Sequence, residues 1–211
     1  MRHRLGGIAS GLILASAVTF AGQADKLARL RNPASLTEQA PATFKTDFDT
    51  SKGLVVVEVH RDWAPLGVDR FYNLVKNGFY DEVRFYRVVP NFMVQFGMSG
   101  NPAVTSAWNG TTLNDDPVKQ SNKKGYITYA NTGRPNSRGT NLFINYKDNA
   151  FLDPQRFAPF GQVVQGMDIV EKINAQYGEQ PEQPLMISQG NAYLIKAFPK
   201  LDYIKTATIE K

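Results

Sequence analysis

The stretch FYRVVPNFMVQFG, Phe85–Gly97, decides how the rest of the chain is read. It sets one arginine on a strongly apolar, β-prone run, followed by a Phe-Met pair and a glutamine. Such a strand builds an apolar pocket holding one permanent cation, Arg87, and one neutral amide, Gln95. That combination suits a substrate whose bond must twist, not one attacked by a nucleophile.

Working outward, Leu54–His60 (LVVVEVH) follows the turn signal Ser51-Lys52-Gly53 and reads as a strand, with an earlier strand near Thr43–Phe48. Pro65 opens a helix that Gly78 closes, and Val68, Phe71, Tyr72 and Val75 give it one apolar face. Strands are predicted over Val83–Phe96, Gly125–Ala130, Leu142–Asn145, Ala158–Val164 and Leu201–Ile209. Shorter helices are predicted at Met167–Asn174 and Asn191–Phe198. Asn101–Lys124 is a long, polar, turn-rich connection, the kind of loop that is usually functional or mobile. Many strands, few helices and no βαβ rhythm point to an antiparallel barrel.

At 211 residues with 42% hydrophobic and 20% charged, the chain has the makeup of one soluble globular domain. Arg2, His3 and Arg4 precede an acid-free apolar run to Phe20, and Gly22-Gln23-Ala24 offers a small-x-small cleavage site. Residues 1–24 therefore read as a signal peptide, with a retained anchor as the alternative, residues 25–42 as a linker and residues 43–211 as the domain. The expected location is periplasmic or otherwise extracytoplasmic, or the inner membrane if the segment stays attached. Removing residues 1–24 leaves 22 basic residues against 19 acidic ones, a balance of +3 with no basic block, so no nucleic-acid partner is expected.

Several chemistries are excluded. Zero cysteines rule out disulfides and thiolate catalysis. After residue 24 the only histidine is His60, in a β run, where a partly exposed strand position is expected in place of a triad base. No His, Cys or carboxylate spacing suits a metal, and no glycine-rich phosphate loop follows a strand, so no metal and no cofactor are expected. Asp115 and Asp116 read as solvated turn residues.

Three segments carry the positive case: Phe85–Gly97, the polar loop YANTGRPNSRGTNLFI at Tyr129–Ile144, and AFLDPQRFAPFG at Ala150–Gly161. Their order holds Phe-x-Arg-Val-x-Pro-x-Phe-Met-x-Gln, then Ala-Asn-x-Gly with a later Phe-Ile, then Phe-Leu-Asp and Phe-Gly. From about Lys52 to Val170 this resembles the cyclophilin family of peptidyl-prolyl cis-trans isomerases. The resemblance implies a mainly β fold, a closed eight-stranded antiparallel barrel capped by two helices. It implies a monomer that acts on proline-containing polypeptides, touching a membrane only if the N-terminal segment is retained.

Carried over by position, the resemblance makes Arg87 the catalytic arginine and Phe92, Met93 and Phe143 the walls of a proline pocket. Gln95 and Asn131 match groups that hold the substrate backbone, flanked by Ala130 and Thr132. Phe151 and Leu152 match a rim position, and Phe157 the pocket floor. Tyr86 stands where familiar members carry histidine, and Asn141 where they carry glutamine. Phe151 replaces a tryptophan, which argues against tight cyclosporin binding, and Arg134 resembles a one-residue insertion. A proline-binding, chaperone-like module without turnover, and a purely structural scaffold, are the alternatives that the residues alone leave open.

Overall fold

The computed structural model describes Gly22 and residues 24–210, so the predicted signal segment lies almost wholly outside the described residues. Thr43–Thr50 (β1) and Gly53–His60 (β2) form a hairpin. Pro65–Lys76 (α1) follows, with proline in its first turn and Lys76 at its last. Next come Val83–Arg84 (β3), Arg87–Val89 (β4), Met93–Phe96 (β5) and Pro102–Trp108 (α2). Tyr126–Tyr129 (β6), Leu142–Asn145 (β7), a 3-10 turn at Ala150–Gln155, and Pro159–Gln165 (β8) complete the centre of the chain. Met167–Val170 (α3), Gln183–Gln189 (α4), Asn191–Ala197 (α5) and Tyr203–Ile209 (β9) close it.

The strands form one antiparallel sheet of nine in the order β3-β9-β1-β2-β8-β6-β7-β5-β4, curled around a core of rings and branched side chains. Phe48 and Phe71 meet edge to face at 6.2 Å, and Phe71 and Phe160 lie 5.1 Å apart, so α1 closes the sheet's concave side. The expected closed eight-stranded barrel is therefore corrected to an open, curled sheet with five short or medium helices among the elements named above. No ladder joins β3 to β4.

The physical reason lies in the opening stretch. Phe85 buries into the main core while Tyr86 buries into a separate apolar cluster, so the backbone between β3 and β4 leaves the ladder. Phe85 N–H instead donates to Asp202 O (2.9 Å), and Val88 N–H to Gly178 O (3.1 Å). Pro90 and Asn91 (φ 59°) then turn the chain from β4 into β5. The single strand expected over Val83–Phe96 is three.

Three further expectations change: those for Asn101–Lys124, for Asp116 and for the helix over Met167–Asn174. Asn101–Lys124 holds α2, whose N-terminus is capped by Asn101 Oδ1 accepting from Ala103 N–H (2.9 Å). Asp116 is buried, accepting from Leu66 and Gly67 N–H at the start of α1 and from Arg138 Nη1 (3.0 Å). Residues 25–42, read as a linker, lie against the domain: Leu30 is buried with its carbonyl accepting from Trp108 Nε1 (2.8 Å), and Ala40 N–H donates to Asp69. The helix expected over Met167–Asn174 stops at Val170.

Candidate active site

The β4-β5-β7 register places Arg87 opposite Gln95 and Gln95 opposite Phe143, one row across three strands. Successive strand residues face opposite sides, so Val94 and Phe96 enter the main core while Met93 and Gln95 face outward with Phe143. All four residues of β5 are buried nonetheless, which explains why the run shows no polar alternation. Beyond Phe96, Gly97 adopts φ 110°, and a Cβ there would collide with Thr140 O, so the loop carrying Asn141 can pass directly beside the strand end.

The outward side chains line a cavity of about 260 Å³ with Phe92, Ala130, Asn131, Leu152, Phe157 and Gln183. Phe143 and Phe157 meet edge to face at 5.7 Å, and Phe92 stacks on the exposed Phe151 at 5.8 Å. Polar bonds behind the rings hold them. Asn149 Nδ2 donates to Phe92 O (3.0 Å), and Asn122 Nδ2 donates to Phe157 O (2.9 Å) and Asp153 Oδ1 (2.8 Å). Ser121 Oγ donates to Asp153 Oδ2 (2.6 Å), so the end of the Asn101–Lys124 connection supports the pocket floor.

Arg87 Nη1 donates to Gln95 Oε1 (3.1 Å), and Gln95 Nε2 donates to the Tyr86 hydroxyl (2.7 Å). Burial pushes the Tyr86 hydroxyl well above its ordinary pKa, against the opposing influence of Gln95 and Arg87, so it stays neutral. The same guanidinium is paired with Glu179 (2.5 Å) and keeps 33% of its side-chain surface exposed. Asn131 is braced by accepting from Gly133 N–H (2.8 Å) and donating to Gln155 O (3.2 Å). A second cavity of about 440 Å³ adjoins the first, sharing Gln95, Ala130, Asn131 and Gln183.

The structure thus gathers Arg87, Phe92, Met93, Gln95, Ala130, Asn131, Phe143, Leu152 and Phe157 around one space. Thr132 and Asn141 line the neighbouring cavity, and Phe151 reaches the rim through its stack on Phe92. Tyr86 lines neither cavity; it is 3% exposed and acts behind Gln95. No sequence signal points to Glu179 or Gln183, which the structure brings to Arg87 and to the cavity. They lie in the proline-punctuated stretch GEQPEQP, where no periodicity marks a position facing the pocket.

The family model for cyclophilin type peptidyl-prolyl cis-trans isomerase/CLD matches residues 45–191. The chain belongs to the cyclophilin-type peptidyl-prolyl cis-trans isomerases. A peptidyl-prolyl cis-trans isomerase of Acinetobacter baylyi is 33% identical over 163 residues, covering 72% of this cyclophilin and 87% of the relative. Peptidyl-prolyl cis-trans isomerase A of Dickeya dadantii is 35% identical over 178 residues, covering 77% and 93%. A cyclophilin type isomerase of Cryptosporidium parvum superposes with a TM-score of 0.60 at 19% identity, covering 80% of this chain and 98% of its own. The family match runs past Val170 into the segment that carries Glu179 and Gln183.

Proposed function

We propose that this isomerase turns X-Pro bonds in folding or exported polypeptides by binding the twisted imide more tightly than the planar one, with Arg87 as donor. A peptide bond resists rotation by about 18–20 kcal/mol because nitrogen shares its lone pair with the carbonyl. X-Pro bonds populate both isomers yet exchange over roughly tens to hundreds of seconds. At the top of the barrier resonance is lost and the proline nitrogen regains its lone pair. A donor aimed there meets a partner that the planar amide lacks, and only such differential binding speeds the step. No proton moves, so a guanidinium that stays charged at any working pH suffices.

One observation carries this reading: Arg87 and Gln95, joined through Nη1, border the same cavity as Phe92, Met93, Phe143 and Phe157. The rings seat a pyrrolidine and exclude water, where a fixed donor acts more strongly. Magnitudes show that the arginine does not act alone. Even the low end of enzymatic acceleration, ~10⁶, needs about 8 kcal/mol. One hydrogen bond to a charged group contributes roughly 1.5–3 kcal/mol. Backbone positioning by Gln95 and Asn131 and desolvation by the rings supply the remainder.

Arg87→Ala should lower turnover by about 10²–10³, the usual loss on removing one preorganised donor. Refolding of a protein limited by a slow prolyl phase measures it, and full activity in the variant would sink the donor assignment. Export is supported by the basic, then apolar, then small-residue pattern of residues 1–24. No helix among the described residues is long and apolar enough to cross a membrane. Cell fractionation with N-terminal sequencing tests export: a periplasmic chain starting at Asp25 is expected, and a cytoplasmic chain starting at Met1 refutes it.

A further inference from the structure

Arg87 is held by a part of the chain remote from the apolar wall. Glu179 Oε1 accepts from Arg87 Nε at 2.6 Å and lies 2.5 Å from Nη2, so one carboxylate oxygen binds the side-on edge of the guanidinium. Nη1, at the other edge, donates to Gln95 and lies 3.9 Å from Met93 Sδ, and both of these residues line the cavity.

The placement of Glu179 is built into the backbone. Val88, the residue after Arg87 on the outer strand of the sheet, donates its N–H to Gly178 O (3.1 Å). Around this bond the loop turns tightly, with Gly178 N–H donating to Ala175 O and Gln180 N–H to Tyr177 O, both 3.0 Å. Tyr177 packs against the cluster of Tyr86, Met186, Leu194 and Leu201. Tyr86 in that cluster accepts from Gln95, so residues 174–201 reach the arginine twice, once through Glu179 and once through Tyr86 and Gln95.

We propose that Glu179 is a positioning residue for the isomerase reaction: it fixes the side-on edge of Arg87 so that Nη1 stays aimed into the proline cavity. This rests on Arg87 being the donor. A long side chain loses much rotamer freedom when ordered, and the carboxylate takes that loss before substrate arrives. The pair is 61% exposed on the glutamate side, so it adds little to folding and its removal leaves the domain intact. The carboxylate also offsets part of the guanidinium charge. Preorganisation and charge offset predict opposite outcomes when Glu179 is removed, which makes the assignment testable.

The test is a double-mutant cycle in the full-length protein with Glu179→Ala, Arg87→Ala and the double variant, read as kcat and KM on an X-Pro peptide. Glu179→Ala should lower kcat by about two- to fivefold, the equivalent of one exposed ion pair, with KM nearly unchanged. In the Arg87→Ala background it should have no further effect. Glu179→Gln, which keeps an acceptor, should restore part of the loss. The Arg87 Nε–Hε NMR signal should be sharp in the parent and broadened in Glu179→Ala, with the melting temperature unchanged. Unchanged or raised turnover in Glu179→Ala, or an equal loss in both backgrounds, overturns the proposal. Full activity in Arg87→Ala alone is a different result, and it overturns the donor reading beneath.

Discussion

Two sides of the cleft are built in opposite ways. The wall formed by Met93, Phe143 and Leu152 stands on paired strands and a 3-10 turn, each side chain no more than 5% exposed. The facing edge, with Glu179 and Gln183, comes from turns and a seven-residue helix, and Glu179 is 61% exposed. The wall is part of the sheet's structure and cannot change without disturbing it. The edge contributes charge and amide groups at little cost to folding. Shape is thus fixed by paired strands, while this edge adds its carboxylate and amide from turns and a short helix.

The largest expected effect comes from removing the wall. Phe143→Ala deletes a ring that is 5% exposed and in edge contact with Phe157. Buried Phe→Ala changes typically lose about 3–5 kcal/mol, because the space left behind fills only partly. Denaturant unfolding and peptide turnover should both fall sharply. If turnover collapsed while stability stayed whole, wall and fold would be separable and the contrast with the edge would break.

Tyr86 joins the two sides, since its ring belongs to the apolar cluster under α4 and its hydroxyl accepts from Gln95 on β5. Tyr86→Phe leaves the Gln95 amide buried without that acceptor, a change worth roughly 1–3 kcal/mol in stability. It should also lower kcat more than KM, because Gln95 then holds Arg87 less firmly. Steady-state kinetics beside thermal unfolding checks both. A loss of stability with kcat untouched would confine Tyr86 to packing.

How much of this was legible in the sequence follows the same division. Strands β1, β2, β6, β7 and β8 declare themselves through branched and aromatic runs bounded by turn residues, and the run Leu142–Asn145 coincides with β7. Arg87, the Phe-Met-Gln set and Asn131 sit on or beside such strands, so their spacing survives in the chain. The opening of the barrel was hidden because Phe85 and Tyr86 are both apolar yet bury in different clusters, which no periodicity reveals. Glu179 was hidden for a different reason. Its role depends on one backbone bond between Val88 and Gly178, ninety positions apart in the chain, which is a tertiary fact without a local signal. The α2 helix did carry a local signal, Asn101 as a cap with Pro102 behind it, but Asn-Pro also suits a turn, and seven residues give too short a period to decide.

The smallest effect probes whether the wall depends on charge as well as on packing. Asp153 lies in the 3-10 turn next to Leu152, and partial burial pushes its carboxyl up. Hydrogen bonds from Ser121 Oγ and from both nitrogens of Asn122 outweigh that and hold its pKa below the usual 3.8. A group whose pKa is depressed on folding adds stability that is fully present above its unfolded value and is lost as pH falls through the folded one. Asp153→Asn should therefore melt slightly below the parent at neutral pH, and the gap should shrink as pH falls below about 4. Thermal unfolding of both proteins across a pH series measures it. A gap of constant size would mean that the carboxylate charge does not hold the turn and that Leu152 is fixed by packing alone. The wall would then be apolar in its energetics throughout, and its contrast with the Glu179 edge would be sharper than the hydrogen bonds suggest.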